Sequence, residues 1–299
     1  MARGALIFID TNIFLDFYRI RGDGSSLSIL EKIDNNHDII ITGNQVEMEY
    51  HKNRQVVILS EALTKIKKPD KIPNLAFIET SQHLGSIKRH QKETETQVKK
   101  LLKKIERVLN NPSRNDQVYI SAKKLFRANT PYNLRRQNNE RYKIRRLARK
   151  RFMLGYPPRK SGDNSIGDAI NWEWIIECSN NDSEKRDIII VSRDSDYGII
   201  YNEKSILNDW LRQEFKERVS RRRKIILTDK LTHAFKMSNV SVTSEEEKQE
   251  EELLSGTSSS QSSINKFLSS QRSFNEDLTK RIEELRIKIH ERLKEQKGN

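Results

Sequence analysis

The sequence predicts an α/β fold built around a central parallel sheet, and three features carry that expectation. Short runs of Ile, Val, Leu and Phe recur without internal charge, as strands buried on both faces require. Amphipathic helical patterns separate them. Small polar or acidic residues follow several of the runs, at the carboxyl ends of the strands, where open α/β sheets place their ligand sites.

The first run, Ala5 to Ile9, stops at Asp10-Thr11-Asn12. Thr11 or Asn12 can cap a helix carrying Ile13, Phe14 and Phe17, since their side-chain oxygens accept from free backbone N–H groups; Asp10 can cap equally well. Arg21 to Ser26 reads as a loop, followed by a helix with Leu27, Leu30 and Ile33 inward. Asp38 to Thr42 is a second strand. In the next helix Val46, Glu49 and Tyr50 share a face, so Glu49 falls on the apolar side while Glu47 points to solvent. A buried carboxylate is costly unless matched, either by a metal ion or by a nearby arginine.

Residues 54–154 read as a basic, all-helical insertion. A long helix carries Leu84, Ile87, Val98, Leu101, Ile105 and Val108 in alternating threes and fours, and Asn110-Asn111-Pro112 stops it. Further helices are expected over roughly 116–128 and 134–152. Between residues 85 and 160 there are 23 Lys and Arg against 5 Asp and Glu, a net of +18 that exceeds the whole-chain +14. The densest part holds Arg141, Lys143, Arg145, Arg146, Arg149, Lys150 and Arg151, with Tyr132, Tyr142 and Phe152 interleaved. Such a charge excess suits a nucleic-acid backbone, and the aromatic rings suit stacking on bases.

After a loop through Gly155–Asn164, Asp168 sits near the start of a helix with Trp172 and Ile175 on its face; capping with Ser165 is its other role. Asp187 to Ser192 is a third strand, ending in Arg193-Asp194-Ser195-Asp196. A helix is expected over 205–219 with Ile206, Leu207, Trp210, Leu211 and Phe215 inward, then a strand at Ile225 to Thr228 and a short helix. Residues 239–265 look like a disordered linker. Residues 266–299 look like an amphipathic helix through Leu278, Ile282, Leu285 and Ile289, a candidate surface for self-association or a protein partner.

Composition narrows the function. Hydrophobic residues make up 34% and charged residues 33%, and the net charge of +14 points to a polyanion partner, nucleic acid before an anionic membrane. The single Cys178 excludes an intrachain disulfide and a cysteine-rich zinc site, and fits a reducing compartment. No secretory h-region is seen and no apolar run approaches the ~18 residues of a membrane span. A cytoplasmic protein without a membrane partner is expected.

The inward carboxylates at strand ends and first helical turns are Asp10, Glu49, Asp168 and Asp194, with Asp196 close behind. Gathered at one sheet edge they would repel each other and raise each other's pKa. Hard divalent cations such as Mg²⁺ or Mn²⁺ resolve that, whereas the six His show no usable zinc spacing.

At these residues the chain resembles the PIN-domain nucleases. The matching pieces are Phe8-Ile9-Asp10-Thr11-Asn12-Ile13, Val46-Glu47-Met48-Glu49-Tyr50, Gly167-Asp168-Ala169-Ile170-Asn171-Trp172-Glu173 and Ser192-Arg193-Asp194-Ser195-Asp196-Tyr197, in the family's order. They resemble in detail the larger bacterial PIN-like domains with a long helical insertion. The resemblance implies a Rossmann-like three-layer sandwich with its core over residues 1–53 and 155–238. It implies Asp10, Glu49, Asp168 and Asp194 as Mg²⁺ or Mn²⁺ ligands with Asp196 supporting, Thr11, Asn12 and Ser192 orienting them, and endonucleolytic hydrolysis leaving 5′-phosphate and 3′-hydroxyl ends. RNA is the expected substrate ahead of DNA, and a bacterial defence role is the biological setting it suggests. Three other readings compete. One is a non-catalytic nucleic-acid-binding scaffold. A second is a haloacid-dehalogenase-type phosphomonoesterase, which normally has a second Asp where Asn12 stands. The third is membrane association through the basic helices.

Overall fold

The computed structural model describes residues 4–19, 25–66, 69–70, 77, 79, 81–158, 165–202 and 204–254. At its centre β1 (Ala5–Ile9) pairs in parallel with β2 (Ile40–Gly43) on one side and β4 (Asp187–Val191) on the other. β7 (Ile225–Thr228) extends the sheet beyond β4, and a two-residue strand, β3 (Asn133–Leu134), closes it beyond β2. The order is β3-β2-β1-β4-β7, all parallel, with helices on its faces in the three-layer α/β arrangement. β1 reads as an unbroken apolar run because both its faces are covered, and Leu6 to Ile9 are fully buried. The register sets Ile9 beside Val191, so the residues after β1 and β4 emerge together.

The helices are α1 (Thr11–Asp16), α2 (Ser25–Asn35), α3 (Asn44–Lys65), α4 (Gln82–Asn110), α5 (Pro112–Asn115), α6 (Gln117–Arg127), α7 (Glu140–Met153), α8 (Gly167–Asn181), α9 (Asp209–Arg218) and α10 (Leu231–Met237). Their ends follow local chemistry. Asp10 caps α1 by accepting from the Thr11 amide, Asp116 caps α6 through Tyr119 N–H, and Pro112 stands at the first turn of α5.

The segment 54–154 is not set apart from the core. α3 runs through residue 54 without a break. α6 packs on α2 and α7 on α8, and Leu125, Phe126, Leu134, Ile144 and Ala148 join the same hydrophobic cluster as β1 and β4. Where a helix from residue 134 was expected, Asn133 donates its side-chain amide to the carbonyls of Phe126 and Ala128 at the end of α6 and then enters β3 beside Thr42. A buried ion pair, Arg54 with Asp116 at 2.5 Å, ties α3 to the cap of α6, with the Tyr18 hydroxyl donating to the same carboxylate.

Two further expectations are corrected. Residues 205–207 belong to a hairpin, β5 (Gly198–Tyr201) with β6 (Lys204–Leu207), and the helix begins only at Asp209. Asn208 starts it by accepting from Trp210 N–H, which leaves Trp210 about half exposed rather than inward. Residues 244–251, assigned to a linker, are helical. A reciprocal capping box starts that helix: the Thr243 amide donates to Glu246 and the Glu246 amide to Thr243 Oγ1. Glu246 also takes Lys32 and Ser28, and Glu250 accepts from the free amides of Leu231 and Thr232 at the start of α10, so both carboxylates are buried but matched. The C-terminal helix expected over 266–299 lies outside the described residues.

Candidate metal centre

The carboxyl edge of the sheet gathers the acids around Asp10. The Asp10 amide continues the β1–β4 ladder by donating to Val191 O, which brings its side chain to the residue after β4. Ser192 Oγ donates to Asp10 Oδ2 at 2.6 Å, Asn12 Nδ2 to the same oxygen at 3.1 Å, and the Thr11 amide to Oδ1 at 2.7 Å. Ser192 Oγ in turn accepts from the Asp194 amide at 3.2 Å, so one hydroxyl sets both the first acid and the turn that carries the second. Asp10 is only 4% exposed. Burial first, and the Asp194 charge second, push its carboxyl up to about 7, against the pull of the Ser192 and Thr11 hydrogen bonds; Glu49 adds to the rise.

Glu49 comes from the first turns of α3. Thr11 Oγ1 donates to its Oε2 at 3.0 Å and Gln45 Nε2 to its Oε1 at 2.7 Å. The start of α8 closes on this pair. A Cβ at Gly167 would lie 2.3 Å from Glu49 Oε1 and 2.8 Å from Gln45 Nε2, so glycine lets α8 start beside this pair, with Asp168 in its first turn, without displacing the two side-chain ends. Asp168 and Asp194 are half-buried and Asp196 is buried.

Tyr197 marks where the acids converge. Its ring is fully buried against Phe8, and its hydroxyl makes no hydrogen bond among the described residues. Burial, then the charges of Asp168, Asp10, Glu49 and Asp196 in that order, hold the phenol well above its ordinary pKa. Tyr197 has no role among the sequence-predicted site residues; its place directly after Asp196 is the signal that could have found it.

The chemistry of the donor set fits a hard cation. The donors that reach Asp10 and Glu49 are neutral (Ser192, Asn12, Thr11, Gln45), and the one arginine in the turn after β4, Arg193, is bound instead to Asp16, Glu250 and the Asp229 carbonyl. Carboxylate oxygens met by neutral donors, as at Asp10 and Glu49, suit Mg²⁺ or Mn²⁺. Among the described residues no three His, Cys, Asp or Glu side chains are already spaced as a ligand group. The acids therefore share an edge and a field rather than a preformed cage.

The basic face is α7. Arg145, Arg146, Arg149 and Lys150 are exposed, and with Tyr142, Met153 and Leu154 they line an open groove of about 570 Å³. Arg141 stacks on the exposed Tyr142 ring at 4.5 Å. Lys143 is paired with Glu177 at 2.7 Å. Arg151 is the correction in this group. It is 3% exposed and bound to Glu173, Glu214 and the Pro157 carbonyl, because Ile144, Ala148 and Arg151 share the inward face of α7. Tyr132 is buried as well, held by Asp182 and Arg186, and offers no stacking surface. Glu173 is a structural acid. Burial alone would raise its carboxyl, but Arg218 and Arg151 outweigh that and hold it below the usual range.

The family model for the PIN domain covers residues 7–197, which runs from within β1 through the segment 54–154 to the turn that bears Asp194 and Asp196. No curated protein and no solved structure matches the chain.

Proposed function

The chain belongs to the PIN-domain family, a nuclease fold, and from that premise we propose that it is a metal-dependent endonuclease, acting on RNA in preference to DNA. The observation that carries the proposal is Asp10: a carboxylate raised by burial first and then by the charges of Asp194 and Glu49, and reached among the described residues by neutral donors alone, at the ligand-binding edge of the sheet. Asp10, Glu49, Asp168 and Asp194 would hold Mg²⁺ or Mn²⁺, with Asp196 supporting. When bound, the cation supplies Lewis acidity, which lowers the pKa of water and offsets charge on the phosphate.

The chain's own residues do the rest. Ser192 and Asn12 fix Asp10 Oδ2, and Thr11 and Gln45 fix Glu49, so that the acids face the cation in one orientation. The Tyr197 hydroxyl, without a hydrogen-bond partner among the described residues, can donate to an oxygen that enters the site. Arg145, Arg146, Arg149 and Lys150 grip the phosphates of the strand on either side, and Tyr142 stacks on a base. Hydrolysis in this arrangement leaves 5′-phosphate and 3′-hydroxyl ends. No described helix is long and apolar enough to cross a membrane, and the buried lone Cys178 suits the reducing cytoplasm we assign to the protein.

The test is incubation of labelled single-stranded RNA and DNA with the protein and Mg²⁺, Mn²⁺ or EDTA, beside an Asp10→Asn/Asp194→Asn double variant. Metal-dependent cleavage of RNA that the variant lacks is expected. Equal, metal-independent binding by both proteins with no cleavage would favour the scaffold reading instead.

A further inference from the structure

A second, narrower cleft opens beside the acid cluster, between the start of α3, the turn after β3, α7 and α8. Arg135, Arg136, Arg141 and Arg145 stand around it, and its residues include no acid. Leu134, Ile170 and Trp174 supply apolar lining. Asn171, 3% exposed, also lines it, and its side-chain Nδ2 makes no hydrogen bond among the described residues; the buried Nε of Arg141 makes none either.

Both unmatched atoms are N–H donors, and a buried donor without an acceptor is destabilising until one arrives. Every other charged group at the cleft is a guanidinium, a donor-only fork shaped for phosphate oxygens. The enclosed space is about 20 Å³, room for one oxygen-sized group and too small for a nucleobase. Gln45 borders the cleft and donates to Glu49 Oε1 at 2.7 Å, so the cleft and the acids share a wall.

We infer that this cleft is a phosphate subsite on the nucleic-acid path. Asn171 and Arg141 are its buried donors to a non-bridging oxygen, and Arg135, Arg136 and Arg145 are the outer cations. The inference rests on the nucleic-acid reading above but not on cleavage. The phosphate is either an internal linkage close to the cut or a 5′-terminal phosphate of the strand; the chemistry of recognition is the same.

The experiment is fluorescence anisotropy in EDTA, where nothing is cut, with 3′-labelled single-stranded RNA bearing a 5′-phosphate or a 5′-hydroxyl. Arg141→Ala and Asn171→Asp are compared with Arg222→Ala, which removes one exposed charge outside this cleft. The two cleft variants are expected to weaken binding about tenfold or more, and to lower the slope of log affinity against log salt by about 0.7 for the lost phosphate contact. Arg222→Ala should change affinity less than about threefold. A loss confined to the 5′-phosphorylated strand assigns the terminal phosphate, and an equal loss on both strands assigns an internal one. If Asn171→Asp melts below the assay temperature, Arg136→Ala/Arg141→Ala, at an exposed residue and a half-buried one whose Nε alone is enclosed, carries the same expectation of weakened, less salt-sensitive binding. Losses no larger than that of Arg222→Ala with an unchanged salt slope, or no salt-sensitive binding by the parent, overturn the subsite. Absent cleavage in Mg²⁺ or Mn²⁺ with these binding results intact counts against the nuclease reading alone.

Discussion

Replacing Arg151 with alanine should unfold the protein more readily without being a direct lesion in nucleic-acid binding. The side chain is buried at the junction of α7, α8 and α9. Its Nε donates to Glu173 at 2.9 Å, and its two terminal nitrogens reach Pro157 O and Glu214. Glu173 keeps Arg218 at 2.6 Å, and Glu214 keeps Arg218 and the Trp172 indole, so neither acid is left bare. Removing one partner of a buried pair costs about 3–5 kcal/mol, and the surviving Arg218 contacts put this case near about 3 kcal/mol. For a chain of this size that lowers Tm by roughly 6–12 °C. Arg149, two residues away and exposed, should cost less than about 0.5 kcal/mol as alanine while weakening RNA binding. Urea unfolding of the three proteins, with RNA anisotropy well below their melting temperatures, separates the cases. An Arg151→Ala protein as stable as the parent, with an affinity loss matching that of Arg149→Ala, would refute the placement of Arg151.

Other expectations follow from the same geometry. Glu173→Gln should flatten acid sensitivity: its folded-state pKa lies below the unfolded value of about 4.3, so its contribution is present above that pH and is lost as pH falls through the folded value, which melts at pH 3 to 6 would show. Tyr197→Phe removes a buried hydroxyl that no described group satisfies, so Tm should hold or rise while turnover falls about tenfold or more; unchanged turnover would leave the hydroxyl without a role. Gly167→Ala sets a methyl against the flexible ends of Glu49 and Gln45, so cleavage should drop sharply with little loss in a circular-dichroism melt, and full activity would mean Glu49 need not hold its position.

Much of this was legible in the residues, and the gaps have physical causes. β1, β2, β4 and β7 declare themselves because strands covered on both faces are continuous apolar runs. β3 does not, because two residues carry no pattern and owe their strand state to β2 and to the Asn133 cap on α6. Ile206 and Leu207 fit the helical spacing of Leu211 and Phe215, which hid the hairpin; Asn208, a good N-cap, was the local sign that the helix starts later. Among the acids, strand ends located Asp10 and Asp194, and helical spacing located Glu49. Spacing also held the answer for Arg151, since Ile144, Ala148 and Arg151 step by four and three, but charge counting treats every arginine of a basic run alike. In the same way the Glu-rich stretch after Thr243 reads as solvated, although Glu246 and Glu250 are four apart on the face that packs inward.

The central claim is that the carboxylates around Asp10 form a divalent-cation centre, and calorimetric titration of Mn²⁺ tests it without relying on catalysis. The parent should bind at least one equivalent with measurable heat, and Asp10→Asn/Asp194→Asn should bind none at this site while remaining folded. Identical titrations for the two proteins would place the cation elsewhere and contradict the account.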